Sequence, residues 1–298
     1  MPSTQQKLSW VIVGQGAIGL LTACRLQHAS YPVALWLRQP APLSVTLQAS
    51  EISTPCYFLP AARPLHQVFI AVKAYAVADC LAQLSPELSA NAQLVISHNG
   101  MPDLAYLQSV AAFEQGIWFL STSHAALRTA ESVVHTGQGQ SILSPLNNAA
   151  RQAEPAIVAA MTEALGPIQL TTDIRPALWR KLAVNAVINP LTALHNCRNG
   201  ELATIAFNQQ IDRLIAEVCQ LAALEHIELE RQQTKAHVYQ VMHATAKNYS
   251  SMQQDRYYQR PLELDAITGF IINTAAKHQL PVPENQALLD ALRQTTTL

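Results

Sequence analysis

The chain has 298 residues, of which 49% are hydrophobic and 13% charged, and its formal net charge is −1. That composition excludes a disordered chain and gives room for two domains, each able to bury its own core. No basic run offers a footprint for nucleic acid, and the scattered Cys24, Cys56, Cys80, Cys197 and Cys219, with no CxxC pair, exclude a disulfide framework or a zinc site and fit the reducing cytoplasm.

The polar start, Met1 to Ser9, leads into an apolar run of only four residues, too short for the core of a signal peptide, and no later run is long enough to span a bilayer. That first run, residues 10–13, predicts a buried strand, and 18–27 predicts the helix that follows it. Residues 33–37, 68–72, 94–97 and 117–121 are further strands, each ending at a turn or polar residue. Runs apolar on both faces suit a parallel sheet covered by helices, so the first half is expected to be a doubly wound α/β fold. The character changes near Asp173. Helical patterns then cover 176–195, 201–226, 234–251, 264–278 and 284–293, with Pro281 and Pro283 separating the last two. The expected organisation is an α/β domain over residues 1–172 and an all-α domain over residues 173–298.

Gly14-Gln15-Gly16-Ala17-Ile18-Gly19 is a GxGxxG placed directly after a strand and opening a helix. The glycines suit a tight turn, close approach of a pyrophosphate and close helix–strand packing, while the helix N-terminus offers N–H groups to the anion. The loop is therefore expected to bind a dinucleotide. An NAD-selective site carries an acid about 20 residues on, whereas here Leu35-Trp36-Leu37-Arg38-Gln39 contains none. Arg38 can form a forked contact with a 2′-phosphate, which favours NADP; it also fits an ordinary solvated surface position. Lys73 and His98-Asn99-Gly100 follow strands at the ends where such sheets bind ligands. Taken alone, each fits a turn or helix cap almost as well.

In residues 179–190, Lys181, Asn185 and Asn189 recur at i, i+4 and i+8 among apolar neighbours. On a helix they share one face, a polar stripe that needs partners when buried. A lysine there can protonate a developing alkoxide; the stripe fits a structural polar seam equally well. Asn248-Tyr249-Ser250-Ser251-Met252-Gln253-Gln254-Asp255, followed by Glu263, offers hydroxyl, amide and carboxylate groups, although by spacing it reads as a helix end with its caps.

Together these stretches resemble the ketopantoate reductase family. The resemblance runs through the GxGxxG, Val72-Lys73-Ala74, Ser97-His98-Asn99-Gly100-Met101, residues 179–190, Asn196-Cys197-Arg198-Asn199-Gly200-Glu201-Leu202, Ser250-Ser251-Met252-Gln253-Gln254-Asp255, Glu263, Gly269-Phe270-Ile271-Ile272 and Val282-Pro283-Glu284-Asn285. It implies a Rossmann-type domain followed by a helical domain, NADPH as hydride donor and 2-dehydropantoate as substrate. By that match Lys181 is the general acid, Glu263 holds the substrate hydroxyl and Ser251 the substrate carboxylate. Asn99, Asn185, Asn189, Asn199 and Asn248 orient substrate or cofactor. Lys73 and Arg38 join the loop, Gly14 to Gly19, in holding NADPH. No metal is implied, and a homodimer is the candidate assembly. Arg198 in place of an expected proline, the Tyr257-Tyr258 pair with Pro261, and a loosely matching stretch at 133–145 depart from the family pattern and bear on substrate choice. The two rival readings are a related NADPH-dependent reductase of another 2-oxo acid and an NADPH-sensing regulator without chemistry.

Overall fold

The computed structural model describes residues 7–49, 52–110, 112 and 114–296, which fall into two compact units. The first runs to His98 and again over Asp103–Ile174; the second is Asn99–Pro102 together with the chain from Arg175.

In the first unit, strand β1 (Trp10–Val13) is followed by α1 (Ala17–His28), β2 (Val33–Trp36), β3 (Leu43–Ala49), β4 (Ile52–Pro60) and β5 (Leu65–Ile70). Helix α2 (Val77–Leu84), β6 (Leu88–Ile96), α3 (Leu104–Ser109) and β7 (Gly116–Thr122) come next. Strands β8 (Ala125–Arg128), β9 (Ser132–Gly137) and β10 (Ser141–Pro145), helices α4 (Asn148–Gln152) and α5 (Glu154–Leu165), and β11 (Ile168–Leu170) complete it. They form one sheet in the order β11-β10-β7-β6-β5-β1-β2-β4-β3-β9-β8. The segment β7-β6-β5-β1-β2 is parallel throughout. β1 lies inside it, paired on both sides and buried along its whole length, which is why its sequence is an unbroken apolar run. The Rossmann-type expectation holds for this segment. The flanking strands add antiparallel pairs, β3 with β4, β8 with β9 and β7 with β10.

The β8–β9 hairpin lies against α1. A chain of side chains anchors it there: Arg25 Nη2 bonds His135 Nδ1 (3.1 Å), His135 Nε2 bonds His124 Nδ1 (3.0 Å), and His124 Nε2 bonds the Leu165 carbonyl (2.7 Å). A guanidinium only donates and a carbonyl only accepts, so both histidines are neutral with the proton on Nε2. The Gly139 N–H, 3.2 Å from His124 Nδ1, agrees with that assignment.

In the second unit, α6 (Arg175–His195), α7 (Ile205–Leu224), α8 (Arg231–Ala244), α9 (Ser251–Tyr257), α10 (Phe270–Lys277) and α11 (Pro283–Thr296) pack around two apolar clusters, with no strand among the described residues. The all-α expectation holds, with local corrections. The helix expected over 234–251 stops at Ala244, and a new one starts after Ser250, whose Oγ accepts from the Gln253 N–H (3.0 Å). The helix expected over 264–278 opens as a π-helical turn, Asp265–Gly269. The buried Glu217 carboxylate caps α11, accepting from the backbone N–H groups of Glu284 (2.8 Å) and Asn285 (3.0 Å). That contact gives the Val282-Pro283-Glu284-Asn285 motif a structural role. Asn99–Pro102 is held to this unit by the Met101 N–H bond to the Ala266 carbonyl (2.9 Å). A Cβ on Gly100 would lie 2.4 Å from that same carbonyl oxygen, and its φ is +79°, so only glycine fits. Among the described residues no helix is long and apolar enough to cross a membrane.

Candidate active site

In the first unit, parallel pairing sets the carboxyl ends of β1, β2 and β5 side by side. The chain leaves β1 to one neighbour, β2, and later returns to the other, β5, so β1 and β5 flank the point where strand order reverses and ligands settle. The GxGxxG leaves the middle strand. Gly14, with φ +83°, makes the turn and still donates to the Trp36 carbonyl (2.9 Å). Gly16 is the N-cap of α1 at an ordinary φ of −69°, and a Cβ there would meet the Ala71 carbonyl only at 3.6 Å. Among the described residues nothing demands glycine at that position. What glycine leaves is bare, exposed backbone for a ligand to approach.

Among the described residues no side chain caps α1, and Ala17, Ile18 and Gly19 put no acid in its first turn. The N–H groups and positive dipole end of the helix are thus left for an external anion, which fits a dinucleotide pyrophosphate. Arg38 lies exposed two residues beyond β2, on one side of the loop. Lys73 lies on the other side, half-buried, as the N-cap of the short helical turn after β5. The structure therefore brings Gly14 to Gly19, Arg38 and Lys73 to one edge of the sheet. Arg128, which no local motif marks, joins them through Gln15: Nη1 donates to the Gln15 carbonyl (2.7 Å) and Nη2 to its Oε1 (2.8 Å).

In the second unit, Lys181, Asn185 and Asn189 lie along α6 in the register expected. Lys181 and Asn185 are half-buried and Asn189 is buried. Burial lowers the Lys181 pKa to about 8, and the negative charge of Glu263 acts against that shift. Glu263 is only 5% exposed and sits just ahead of the π-helical turn, an irregularity common at functional sites. The start of α9 is tied to α6 by the Thr192 hydroxyl, which bonds Ser250 Oγ (2.7 Å). This fixes Ser251, exposed in the first turn of α9, relative to the stripe.

Asn199 is buried. Its N–H donates to the Asn248 carbonyl (2.9 Å) and its Nδ2 to Thr245 Oγ1 (2.9 Å), so Asn199 and Asn248 are neighbours. Asn199 Oδ1 is buried and has no hydrogen-bond partner among the described residues. An acceptor left so costs about 1–3 kcal/mol, which a ligand hydroxyl or ammonium would recover. Asn99 belongs to the same unit and is half-buried. Arg198, the departure noted above, stacks on Tyr249 at 5.3 Å, beside Asn199 and Asn248 in sequence. Among the described residues no cluster of potential metal ligands occurs.

Residues 10–148 match the family model described as Ketopantoate reductase PanE/ApbA, and residues 173–296 match Ketopantoate reductase PanE/ApbA C terminal. The 2-dehydropantoate 2-reductase of Vibrio cholerae is 38% identical over 289 residues, covering 95% of this chain and 96% of that protein. Two solved structures are similar over 97% of this chain and 99% of theirs. One is D-mandelate dehydrogenase with NADH and anilino(oxo)acetate (TM-score 0.87, 19% identity), the other a dimeric ketopantoate reductase from Staphylococcus aureus (TM-score 0.82, 22% identity). At those identities both speak for the fold.

Proposed function

The chain belongs to the ketopantoate reductase family, and from that premise we propose that it reduces the ketone of 2-dehydropantoate to the hydroxyl of pantoate with NADPH, a step of pantothenate and coenzyme A synthesis. The observation that carries the reading is Lys181 on the polar stripe of α6, with the Glu263 carboxylate close enough to influence its titration.

Bound NADPH supplies the hydride that converts the ketone carbon to a carbinol. Gly14, Gln15, Gly16, Ala17, Ile18 and Gly19 hold its pyrophosphate, with Arg38 and Lys73 as the cations beside the loop. Lys181 holds a proton on Nζ and delivers it to the oxygen on which negative charge develops; such a donor contributes about 10²–10⁴-fold. Glu263 favours the charged form of Lys181 against the effect of burial and accepts from the substrate hydroxyl. Ser251 meets the substrate carboxylate. Asn185, Asn189, Asn99 and Asn248 orient substrate or cofactor, and Asn199 joins them through its orphaned Oδ1, which can accept a hydrogen bond from a hydroxyl. A proton donor of this kind has no use in a sensor that only binds NADPH.

The five free cysteines support a reducing, cytoplasmic setting, and the dimeric relative of the same fold supports a homodimer. The deciding experiment mixes the purified protein with NADPH and 2-dehydropantoate and follows loss of nicotinamide absorbance, with NADH and a panel of 2-oxo acids as controls. Fast turnover selective for 2-dehydropantoate is expected. Selective turnover of another 2-oxo acid would overturn the substrate assignment and direct attention to the Arg198–Tyr249 pair.

A further inference from the structure

We infer that Arg128 is a positioning residue for the phosphate loop, holding it in the shape that receives the pyrophosphate of a nicotinamide dinucleotide. The inference deepens the cofactor reading above and rests on it. Arg128 ends β8, 113 positions from Gln15, and grips that one residue twice, at the main-chain carbonyl and at Oε1. A guanidinium is a rigid planar fork, so a two-point grip fixes direction as well as distance.

The direction matters because a trans peptide is planar, with its C=O and the following N–H pointing opposite ways. Pinning the Gln15 carbonyl therefore aims the Gly16 N–H, at the N-cap of α1, away from Arg128. Gly14 and Gly16 flank the gripped residue and leave that stretch the least constrained part of the loop. Without the grip, each binding event would have to order it.

Arg128 is itself well placed to hold something else still. It is half-buried and pairs across the hairpin with the fully buried Val133, and the same hairpin is fastened to α1 through the Arg25–His135 bond, with His124 carrying the chain on to the Leu165 carbonyl at the end of α5. The hairpin thus touches α1 at its last turns and reaches the loop ahead of its first.

The role assigned to Arg128 differs from that of Arg38 in a measurable way. A 2′-phosphate exists only on NADPH, whereas the pyrophosphate is common to NADPH and NADH. Arg128→Ala, Arg128→Lys and Gln15→Ala would be compared with wild type in NADPH and NADH titrations by nicotinamide fluorescence, with circular dichroism to check folding. Arg128→Ala is expected to weaken both dinucleotides by the same factor, about 10- to 100-fold, with KM rising far more than kcat changes. Arg128→Lys should not rescue, since an ammonium is not a fork. Gln15→Ala keeps the carbonyl contact and should weaken both cofactors by a smaller common factor, about 3- to 10-fold.

A folded Arg128→Ala protein with wild-type affinities would overturn the inference, as would a loss confined to NADPH or full rescue by lysine. If Arg128→Ala does not fold, the lysine and Gln15 variants decide on the same criteria. A wild-type protein that binds neither dinucleotide would sink the cofactor reading itself, which is a different result from a binding wild type beside an unimpaired variant.

Discussion

Lys181 must carry a proton in surroundings that favour the neutral amine. Its pKa of about 8 lies well below the ordinary lysine value because of burial, and Glu263 limits the fall. As a general acid it works only when protonated. The rate of ketone reduction should therefore be flat below about pH 7 and fall about tenfold per pH unit above about pH 8. Glu263→Gln removes the charge that raises this pKa, so the falling limb should move to lower pH. A limb that stays in place would show that another group titrates. Lys181→Ala should lower turnover by about 10²–10⁴-fold while NADPH affinity, measured by fluorescence, stays near wild type. Arg38→Ala should raise KM for NADPH by about 10- to 100-fold and barely change that for NADH; equal changes would remove its assignment to the 2′-phosphate.

Much of this was legible in the sequence because loop, acid-free strand end and i, i+4, i+8 stripe are all short-range patterns. Glu263 lies in an irregular stretch with no periodicity; the residues alone offered it as one carboxylate after a polar cluster, and the family resemblance gave it a role. The orphaned Asn199 Oδ1 and the grip of Arg128 on Gln15 depend on residues far apart in the chain, and local spacing carries no trace of them.

Among the elements, the hairpin β8–β9 and its histidine chain make a prediction of their own. Burial and the neighbouring Arg25 lower the pKa of His135, and burial foremost lowers that of His124. Unfolded histidine titrates near 6.5. Below that pH the unfolded chain binds protons that the folded one resists, so stability is full above about pH 6.5 and declines as pH falls. His135→Gln retains an acceptor for Arg25 and a donor for His124 but cannot titrate. Its urea midpoints at pH 5, 6 and 7 should fall less steeply than those of wild type. Parallel slopes would exonerate the histidines.

The strands of this region were harder to foresee than the central ones. β3 and β4 alternate buried and exposed residues, and Pro55 interrupts the second, so neither forms the apolar run that marks β1. The break between α8 and α9 did carry a signal: Ser250 and Gln253 have the spacing of a capping box, and Ser250 does cap α9.

At the scale of the whole molecule, the shift near Asp173 from strand–helix alternation to helices alone announced the two kinds of structure. It could not announce that Asn99–Pro102 belongs with the helices, since four residues have no period to read. Gly100→Ala would force a Cβ into the Ala266 carbonyl and put a side chain at a positive φ. It should destabilise the protein by about 1–3 kcal/mol, read from its denaturant midpoint; an unchanged midpoint would mean that the tetrapeptide is not firmly seated.

That tetrapeptide also limits how the protein can be recombined with its relatives. A single crossover near residue 174 would hand over the helices while leaving behind the four residues seated on Ala266. Gly100 from one parent would then face whatever the other carries at position 266, and the Met101–Ala266 backbone bond would have to form between segments of different origin. A chimera that keeps this contact within one parent exchanges residues 99–102 along with the C-terminal portion, so the smallest heritable module of the helical unit is two pieces of sequence.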